Sequence, residues 1–417
     1  MIFFERELKK EVLSCVERKE IISIRGPRQA GKTTLMKMIE NEIKKRYDTV
    51  FINLDIPQMR RNLSESPLDF ANRYKGKKKL IMFLDEVQRL KSGEALKIIF
   101  DEYKDIKLII SGSSSLEIKS NILPFLVGRI FLFELFSFDF YEYILAKDKG
   151  LAKVYEDKHR SLKTLLEKGI SPTPPSFSSE FLKFWKDYVI FGGYAEVLKT
   201  ENIKEKKMIL NSIKNIYIEK DIVSFFKIEE TEKFEDLLKM LAFNTGSVMS
   251  YSSLSSDLKL TFRKVDKFIE ILRNTYIVHI LRSFHKNMVT EIKKSPKVYF
   301  LDLGMRNSII NNFSDFDSRS DNGAIAENFI LRELLSNFRD YDIRYWRTAG
   351  KAEVDFVLSK GKDIIPIEVK LKGSLSRGFY SFLNVYKPKI AIIATLDKFE
   401  KRLIGRTKVF FIPLFYF

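Results

Sequence analysis

The chain has almost no cysteine, little histidine and no long apolar run. Cys15 is the only cysteine in 417 residues, which excludes disulfides within the chain and cysteine-based zinc sites. The three histidines, His159, His279 and His285, form no spacing that suggests a shared ligand set. A bound metal is therefore expected to be held by oxygen, which favours magnesium or manganese. No apolar stretch approaches the roughly 18 residues that a membrane span needs. The opening "MIFFERELKKEV" lacks the apolar core and small-residue cleavage site of a secretion signal. A soluble, cytoplasmic protein without a membrane partner is expected. Glutamine is scarce too, at Gln29, Gln58 and Gln88 only. Little glutamine with much lysine and glutamate is a thermophile's pattern, although an AT-rich genome would also favour lysine, together with isoleucine, phenylalanine and tyrosine.

What is present suits packed domains. The hydrophobic fraction is 45% and the aromatic fraction 13%, too high for a disordered chain. The length predicts two to four domains. A formal net charge of +18 attracts polyanions at long range and fits a nucleic-acid partner. A lysine-rich surface that only maintains solubility would have the same charge.

The strongest local signal is "IISIRGPRQAGKTTLMKMI". Gly26, Pro27, Arg28, Gln29, Ala30, Gly31, Lys32 and Thr33 fit G-x-x-x-x-G-K-[ST]. Ile21, Ile22 and Ile24 predict a strand before the loop, and Leu35, Met38, Ile39 and Ile43 predict a helix after it. The glycines let backbone N–H groups turn toward phosphate oxygens, and the helix N-terminus adds positive potential. Lys32 is expected on the β- and γ-phosphates of ATP, the Thr33 hydroxyl on Mg2+, and Thr34 as a further phosphate contact. The five apolar residues Leu80 to Leu84 predict a parallel strand buried on both faces. Asp85 and Glu86 follow at its carboxyl end, where ligands of such sheets lie. Asp85 is assigned to Mg2+, and Glu86 to orienting or deprotonating the attacking water. A third strand, "IKLIISGSSS", ends in Ser111 to Ser115, one of which could sense the γ-phosphate. Arg129 is a candidate arginine finger, acting in cis or on a neighbouring subunit, which makes a homo-oligomer a candidate partner.

The middle of the chain carries no visible chemistry. Residues 148–178 predict a charged helix followed by a Pro/Ser-rich loop. From Phe181 to about Ile228, periodic apolar residues broken by Gly192-Gly193 predict a helical bundle. Residues 236–290 look like a winged helix. Thr261 is a plausible N-cap, and Val265, Phe268, Ile269 and Leu272 share one helical face. Arg263, Lys264, Lys267 and Arg273 fall elsewhere on that helix and could meet DNA phosphates or a major groove. Basic residues on an open helix face are also ordinary.

The C-terminal part contains "EVDFVL" and "IEVK" joined through a turn at Gly361. Glu-x-Lys alone says little, because it recurs at Glu17–Lys19, Glu42–Lys44, Glu117–Lys119 and Glu291–Lys293. Strand alternation places Val354, Phe356 and Leu358 on one face with Asp355 on the other, and Glu368 with Lys370 on one face. A hairpin would then set Asp355 beside Glu368 and Lys370. Pro366 is tolerable at the start of a strand or on an edge. Two carboxylates on neighbouring strands suit Mg2+ or Mn2+, and the lysine could stabilise charge on a phosphodiester. Glu327, on the expected helix "GAIAENFILRELLSNF", could add a carboxylate, and Arg347 could contact a phosphate. The order of helix, hairpin, acidic pair and lysine is that of a PD-(D/E)xK nuclease core.

Taken in order, "GPRQAGKTTL", "FLDEVQ", "SGSSS", Gly128–Arg129, "IFGGYAEVL", "YFLDLGMRN", "GAIAENFILREL", "EVDFVL" and "IEVK" resemble an archaeal and bacterial family of AAA-like, STAND-related P-loop ATPases with a C-terminal PD-(D/E)xK nuclease-like domain. The chain departs from it at Ala195, where proline is common, and in a longer 148–178 segment. The resemblance implies an α/β chain with an AAA-like P-loop ATPase core at 1–140 and an insert, linker and helical domain at 141–235. A winged-helix-like domain would follow at 236–290 and a mixed α/β nuclease-like domain at 291–417. By the same resemblance Lys32, Thr33, Asp85 and Glu86 serve ATP and Mg2+, and Glu327, Asp355, Glu368 and Lys370 mark the nuclease-like site. Three functions remain open: ATP-dependent DNA processing with cleavage, an ATP-driven switch that binds DNA or protein without cutting, and a regulator of protein assembly.

Overall fold

The computed structural model of the chain describes residues 4–113, 118–223, 226–284 and 294–417, apart from the side chains of 219–221. Ser114, Ser115, Glu117, His285, Glu291 and Lys293 lie outside the described residues. The chain divides into two compact units, Met1–Phe138 with Asn274–Tyr276, and Asp139–Arg273 with Ile277–Phe417. Among the described residues no helix is long and apolar enough to cross a membrane.

The first unit is a five-stranded parallel sheet between helices. Its strands are β1 (Ile21–Arg25), β2 (Asp48–Asn53), β3 (Leu80–Asp85), β4 (Ile106–Gly112) and β5 (Ile130–Glu134), in the order β2-β3-β4-β1-β5. The apolar run in β3 has a direct cause. Leu80, Met82 and Leu84 pack on one face with Leu96 and Ile99 of helix Glu94–Glu102. Ile81 and Phe83 pack on the other with Leu35 and Ile39 of helix Lys32–Ile43 and with Leu8 and Val12 of helix Leu8–Ser14. Each such side chain gains about 1.5–3 kcal/mol from burial. A strand covered on both faces keeps no polar position until its end, and Asp85 stands there.

In the second unit, Asp148 caps helix Lys149–Lys168 by accepting from Gly150 N and Leu151 N, and the helix stops at Gly169. Helix Ser178–Phe191 then meets helix Leu303–Ile309 end to end. A Cβ on Gly304 would stand 2.1 Å from Phe191 O, so glycine is required for that approach. Asp302 accepts from Gly193 N and Met305 N at 2.9 Å each, and Asn307 Nδ2 donates to Val189 O and Ile190 O. The Gly-Gly step is thus a docking point between helices, which explains two small residues inside an apolar sequence.

Helices Thr231–Phe243, Tyr251–Asp257 and Phe262–Asn274 precede an antiparallel pair, β6 (Val278–Leu281) and β7 (Lys297–Phe300). Thr261 Oγ1 accepts from Lys264 N at 3.4 Å, and Val265, Phe268, Ile269 and Leu272 are buried. A six-stranded mixed sheet follows, ordered β12-β13-β11-β10-β9-β8. Its strands are β8 (Asp342–Arg347), β9 (Glu353–Lys360), β10 (Asp363–Val369), β11 (Ile390–Thr395), β12 (Glu400–Ile404) and β13 (Thr407–Pro413).

The hairpin departs from expectation in two places. Val354 does not share a face with Phe356 and Leu358; it packs with Val357, Phe379 and Phe382. The reason is a bulge in β9. Arg344 pairs with Val357 but Trp346 pairs with Val354, so Asp355 and Phe356 together oppose Tyr345, and alternation slips by one residue. Pro366 lies inside β10 rather than at its start or on an edge, pairing with Val357 one residue before the β10–β11 ladder begins at Ile367. Its missing N–H therefore breaks no bond to β11.

Candidate functional site

The loop from Gly26 to Gly31 joins β1 to helix Lys32–Ile43. Gly26 has φ +153, and a Cβ there would stand 1.8 Å from Leu135 O, so this turn admits only glycine. Lys32 is buried and donates across the loop to Gly26 O at 2.9 Å and Pro27 O at 2.7 Å. Thr33 Oγ1 donates to Asp85 Oδ2 at 2.6 Å, and Ser111 Oγ donates to the other carboxylate oxygen. Three strand ends, those of β1, β3 and β4, thus deliver one cluster of lysine, hydroxyls and carboxylate. All its metal-seeking donors are oxygen, and they fit Mg2+. Glu86 follows Asp85 with φ +62 and accepts from Gln88 Nε2, which also donates to Ser113 Oγ at 3.1 Å. Arg28 and Thr34 are half-buried and Gln29 is exposed on the loop, while Ala30 is buried.

Sequence reading missed Arg6. It is only 6% exposed, donates from Nη1 to Ala30 O at 2.7 Å and from Nη2 to Phe136 O at 2.8 Å, and lies over the Phe138 ring. It ties the loop to the segment after β5. No local pattern marks it, because its partners lie 24 and 130 residues away.

Arg129 is placed away from this cluster, and its cis role is corrected. Arg129 O accepts from Ile21 N at the amino end of β1, whereas the phosphate loop leaves the carboxyl end. The length of β1 separates the two, roughly 13 Å. Arg129 forms a two-point ion pair with Asp101, at 2.8 and 3.2 Å.

The second cluster is built on helix Asn322–Asn337 and strands β7, β9 and β10. Asn328 ties the helix to β7 by accepting from Phe300 N at 2.8 Å and donating to Phe300 O at 2.7 Å. That contact sets Glu327 against β7. Tyr299 donates to Glu327 Oε1 at 2.5 Å, and Lys297 donates to the same oxygen at 2.9 Å. The Lys297 ammonium also reaches Glu353 Oε1 at 2.6 Å and Asp355 Oδ1 at 4.0 Å. Asp355 Oδ2 accepts from Val369 N at 2.8 Å. Glu368 is paired with Lys370 at 3.1 Å and accepts from Ser376 Oγ at 3.1 Å. Arg347 pairs with Glu353 at 3.4 Å.

Burial and the nearby Asp355 charge push the Glu368 carboxyl up to about 7, against the pull of Lys370 and Ser376. Burial likewise raises Glu327 above the usual carboxylate range. For Lys297, burial alone favours the neutral amine, but the carboxylates of Glu327, Asp355 and Glu353 outweigh it and hold the proton more tightly than usual. The structure thus brings Glu327, Asp355, Glu368 and Lys370 into one region. It also adds Lys297, Tyr299, Glu353 and Ser376, which sequence reading did not assign. The signal for the first two was parity: in "KVYF", Lys297 and Tyr299 share the strand face opposite Val298 and Phe300. A divalent ion shared by Glu327 and Asp355 would have to displace the Lys297 ammonium, which lies 2.9 Å from one carboxylate and 4.0 Å from the other. Among the described residues no group of three or more His, Cys, Asp or Glu is arranged to hold a metal.

The expected DNA contacts differ in availability. Arg263 and Lys267 are exposed on helix Phe262–Asn274, as is Arg273, which is paired with Glu270 at 3.6 Å. Lys264 is exposed but paired with Glu230 at 2.7 Å.

Residues 18–144 match the model of an AAA domain. Residues 182–315 match a domain of unknown function (DUF8612), and residues 322–415 another (DUF4143). The chain is similar to an uncharacterized protein of Methanocaldococcus jannaschii, 25% identical over 82% of this chain and 73% of that protein. It is also similar to an uncharacterized protein of Mycobacterium tuberculosis, 22% identical over 94% of this chain and 80% of that protein. Among solved structures, the ORC2 protein of Aeropyrum pernix in its ADPNP–ADP complexes is 11% identical with a TM-score of 0.40, over 73% of this chain and 92% of that one. NtrX from Brucella abortus in complex with ADP is 17% identical with a TM-score of 0.26, over 44% and 46%. The AAA match falls on the parallel sheet and its glycine loop, so the chain contains an α/β, AAA-type P-loop domain.

Proposed function

We propose that the chain is a magnesium-dependent ATPase whose nucleotide cycle controls a nuclease-like C-terminal domain engaged with DNA. The observation that carries the ATPase reading is the meeting of Thr33, Asp85 and Ser111 beneath a loop crossed by Lys32. Lys32 exchanges its two loop carbonyls for β- and γ-phosphate oxygens. Thr33 and Asp85 would hold Mg2+, which when bound neutralises charge on the phosphates. Glu86, held by Gln88, orients the attacking water and takes its proton. Arg129, too far from its own loop, serves a neighbouring subunit of a homo-oligomer once it leaves Asp101. Hydrolysis of ATP lost in Lys32→Ala tests this reading; unchanged hydrolysis in that variant would reject it.

For the rest of the chain we keep the division into a core at 1–140, a helical domain at 141–235, a winged helix at 236–290 and a nuclease-like domain at 291–417. The order of three helices followed by an antiparallel pair supports the winged helix. Arg263 and Lys267 are its open DNA contacts; Lys264 and Arg347 must first leave Glu230 and Glu353. The +18 charge supports a polyanionic partner.

Lys297 within the acidic cluster favours a domain that binds DNA, or a protein partner, without cutting. Asp355 beside the Glu368–Lys370 pair supports the second reading, cleavage. Incubating the protein with plasmid, branched and single-stranded DNA in Mg2+ or Mn2+ separates the two. Cleavage lost in Asp355→Ala establishes the second reading, and DNA retention without cleavage establishes the first.

A further inference from the structure

The acidic cluster of the C-terminal unit contains a cation of its own. Glu327, Glu353, Asp355 and Glu368 supply four carboxylates, and Lys297, Lys370 and Arg347 lie against them. Lys297 is the centre of this arrangement. Its side chain is only 1% exposed, and its backbone is fixed on both sides, by Leu281 of β6 and by a bridge to Val248. An ammonium so deeply buried is tolerable only when paired. Here it is paired with oxygens from a helix and a strand at 2.9 and 2.6 Å, with a third carboxylate at 4.0 Å.

We infer that Lys297 is the resident cation of this cluster, standing where Glu327 and Asp355 would otherwise share a divalent metal, so that the C-terminal domain holds its site together without metal. The argument is one of space and charge. Mg2+ and Mn2+ need oxygens at about 2.0–2.2 Å from a common point, and Nζ, 2.9 Å from Glu327 and 4.0 Å from Asp355, competes for that space. Lysine is a compact ammonium with three donors, and it satisfies Glu327 and Glu353 at once. Tyr299 donates a further hydrogen bond to Glu327, on the same oxygen that Lys297 uses. Replacing Lys297 by an uncharged residue should therefore convert the cluster into a divalent-cation site. The inference narrows the nuclease-like reading toward binding and is independent of the ATPase reading.

The experiment is Mn2+ titration of the nucleotide-free full chain, followed by electron paramagnetic resonance, for wild type, Asp355→Asn, Lys297→Met and Lys297→Met with Glu327→Gln. Thermal unfolding of each in EDTA and in millimolar Mn2+ runs in parallel. Wild type and Asp355→Asn are expected to take up the same amount of Mn2+, and their unfolding to be insensitive to it through this cluster. Lys297→Met is expected to gain about one equivalent per chain, to lose it again with Glu327→Gln, and to be stabilised by Mn2+. Mn2+ uptake by wild type that disappears in Asp355→Asn would overturn the inference, as would a folded Lys297→Met that gains none. If Lys297→Met does not fold, the comparison of wild type with Asp355→Asn decides alone. ATP hydrolysis by the same preparations shows separately whether the ATPase reading holds.

Discussion

Asp321 offers a quantitative test of how the helix carrying Glu327 is fixed. Its carboxylate accepts from Arg306 Nη1 at 2.6 Å and from Arg319 Nε and Nη2 at 2.8 and 2.9 Å. Both guanidiniums are at most 1% exposed, while Asp321 is 22% exposed. In Asp321→Asn two buried cations lose their counter-charge, so the cost should be about 3–5 kcal/mol. The pH dependence provides a second figure. Burial pushes the Asp321 carboxyl up, but hydrogen bonds from Arg319 and Arg306 prevail and hold it at about 2. A folded value below the unfolded one, about 3.9, means stability that is present above pH 4 and lost as pH falls through 2. Two units correspond to roughly 2–3 kcal/mol, and solvent at the partly exposed carboxylate reduces this to about 1–2 kcal/mol. The assay is urea unfolding read by tryptophan fluorescence. Both tryptophans, Trp185 and Trp346, lie in the second unit, so the signal reports the relevant part of the chain. The gap between wild type and Asp321→Asn should narrow by about 1–2 kcal/mol from pH 5 to pH 2. A neutral-pH cost below about 1 kcal/mol, or a gap that does not change with pH, would refute the reasoning.

Three further outcomes are expected. Glu86→Gln should keep ATP binding but hydrolyse it at least about 100-fold more slowly, as checked by nucleotide binding and phosphate release. Arg6→Ala should raise KM for ATP more than it lowers kcat, with Arg6→Lys recovering part of the loss through its single ammonium; steady-state kinetics on the three proteins decides this. The double change Arg263→Gln, Lys267→Gln should weaken DNA binding and lower the salt slope of log K by about 2, measured by fluorescence anisotropy across salt concentrations.

Residues whose partners are close in sequence, or whose strand is covered on both faces, were readable in advance. Strand, glycine loop and helix from Ile21 to Ile43 follow from local pattern, and β3 shows itself as an unbroken apolar run because both its faces are buried. Val265, Phe268, Ile269 and Leu272 were equally plain, since one helix face needs only its own period. Long-range contacts left no such trace. Arg6 reads as one more charged residue before a helix until Phe136 and Ala30 are brought to it. Lys297 reads as the polar edge of a short strand, although all four residues of β7 are buried. The grouping of Asp355 with Glu368 was legible, but the path to it was not. Perfect alternation fails where β9 holds an additional residue.

That additional residue has a consequence for length variation in this hairpin. Around Asp355, β9 counts one more residue than β8, so its odd and even positions exchange sides at the bulge. Deleting a single residue between Val354 and Val357 would restore an even count and leave a fully paired, ordinary hairpin. The residue left there would stand alone opposite Tyr345, on the side away from Phe379 and Phe382, because Val354 and Val357 already face those rings. A chain one residue shorter at this point could keep the sheet but has room for only one residue there, the acid or the phenylalanine. Aligning this strand by composition alone would miss the difference; counting residues between Trp346's partner and Arg344's partner would find it.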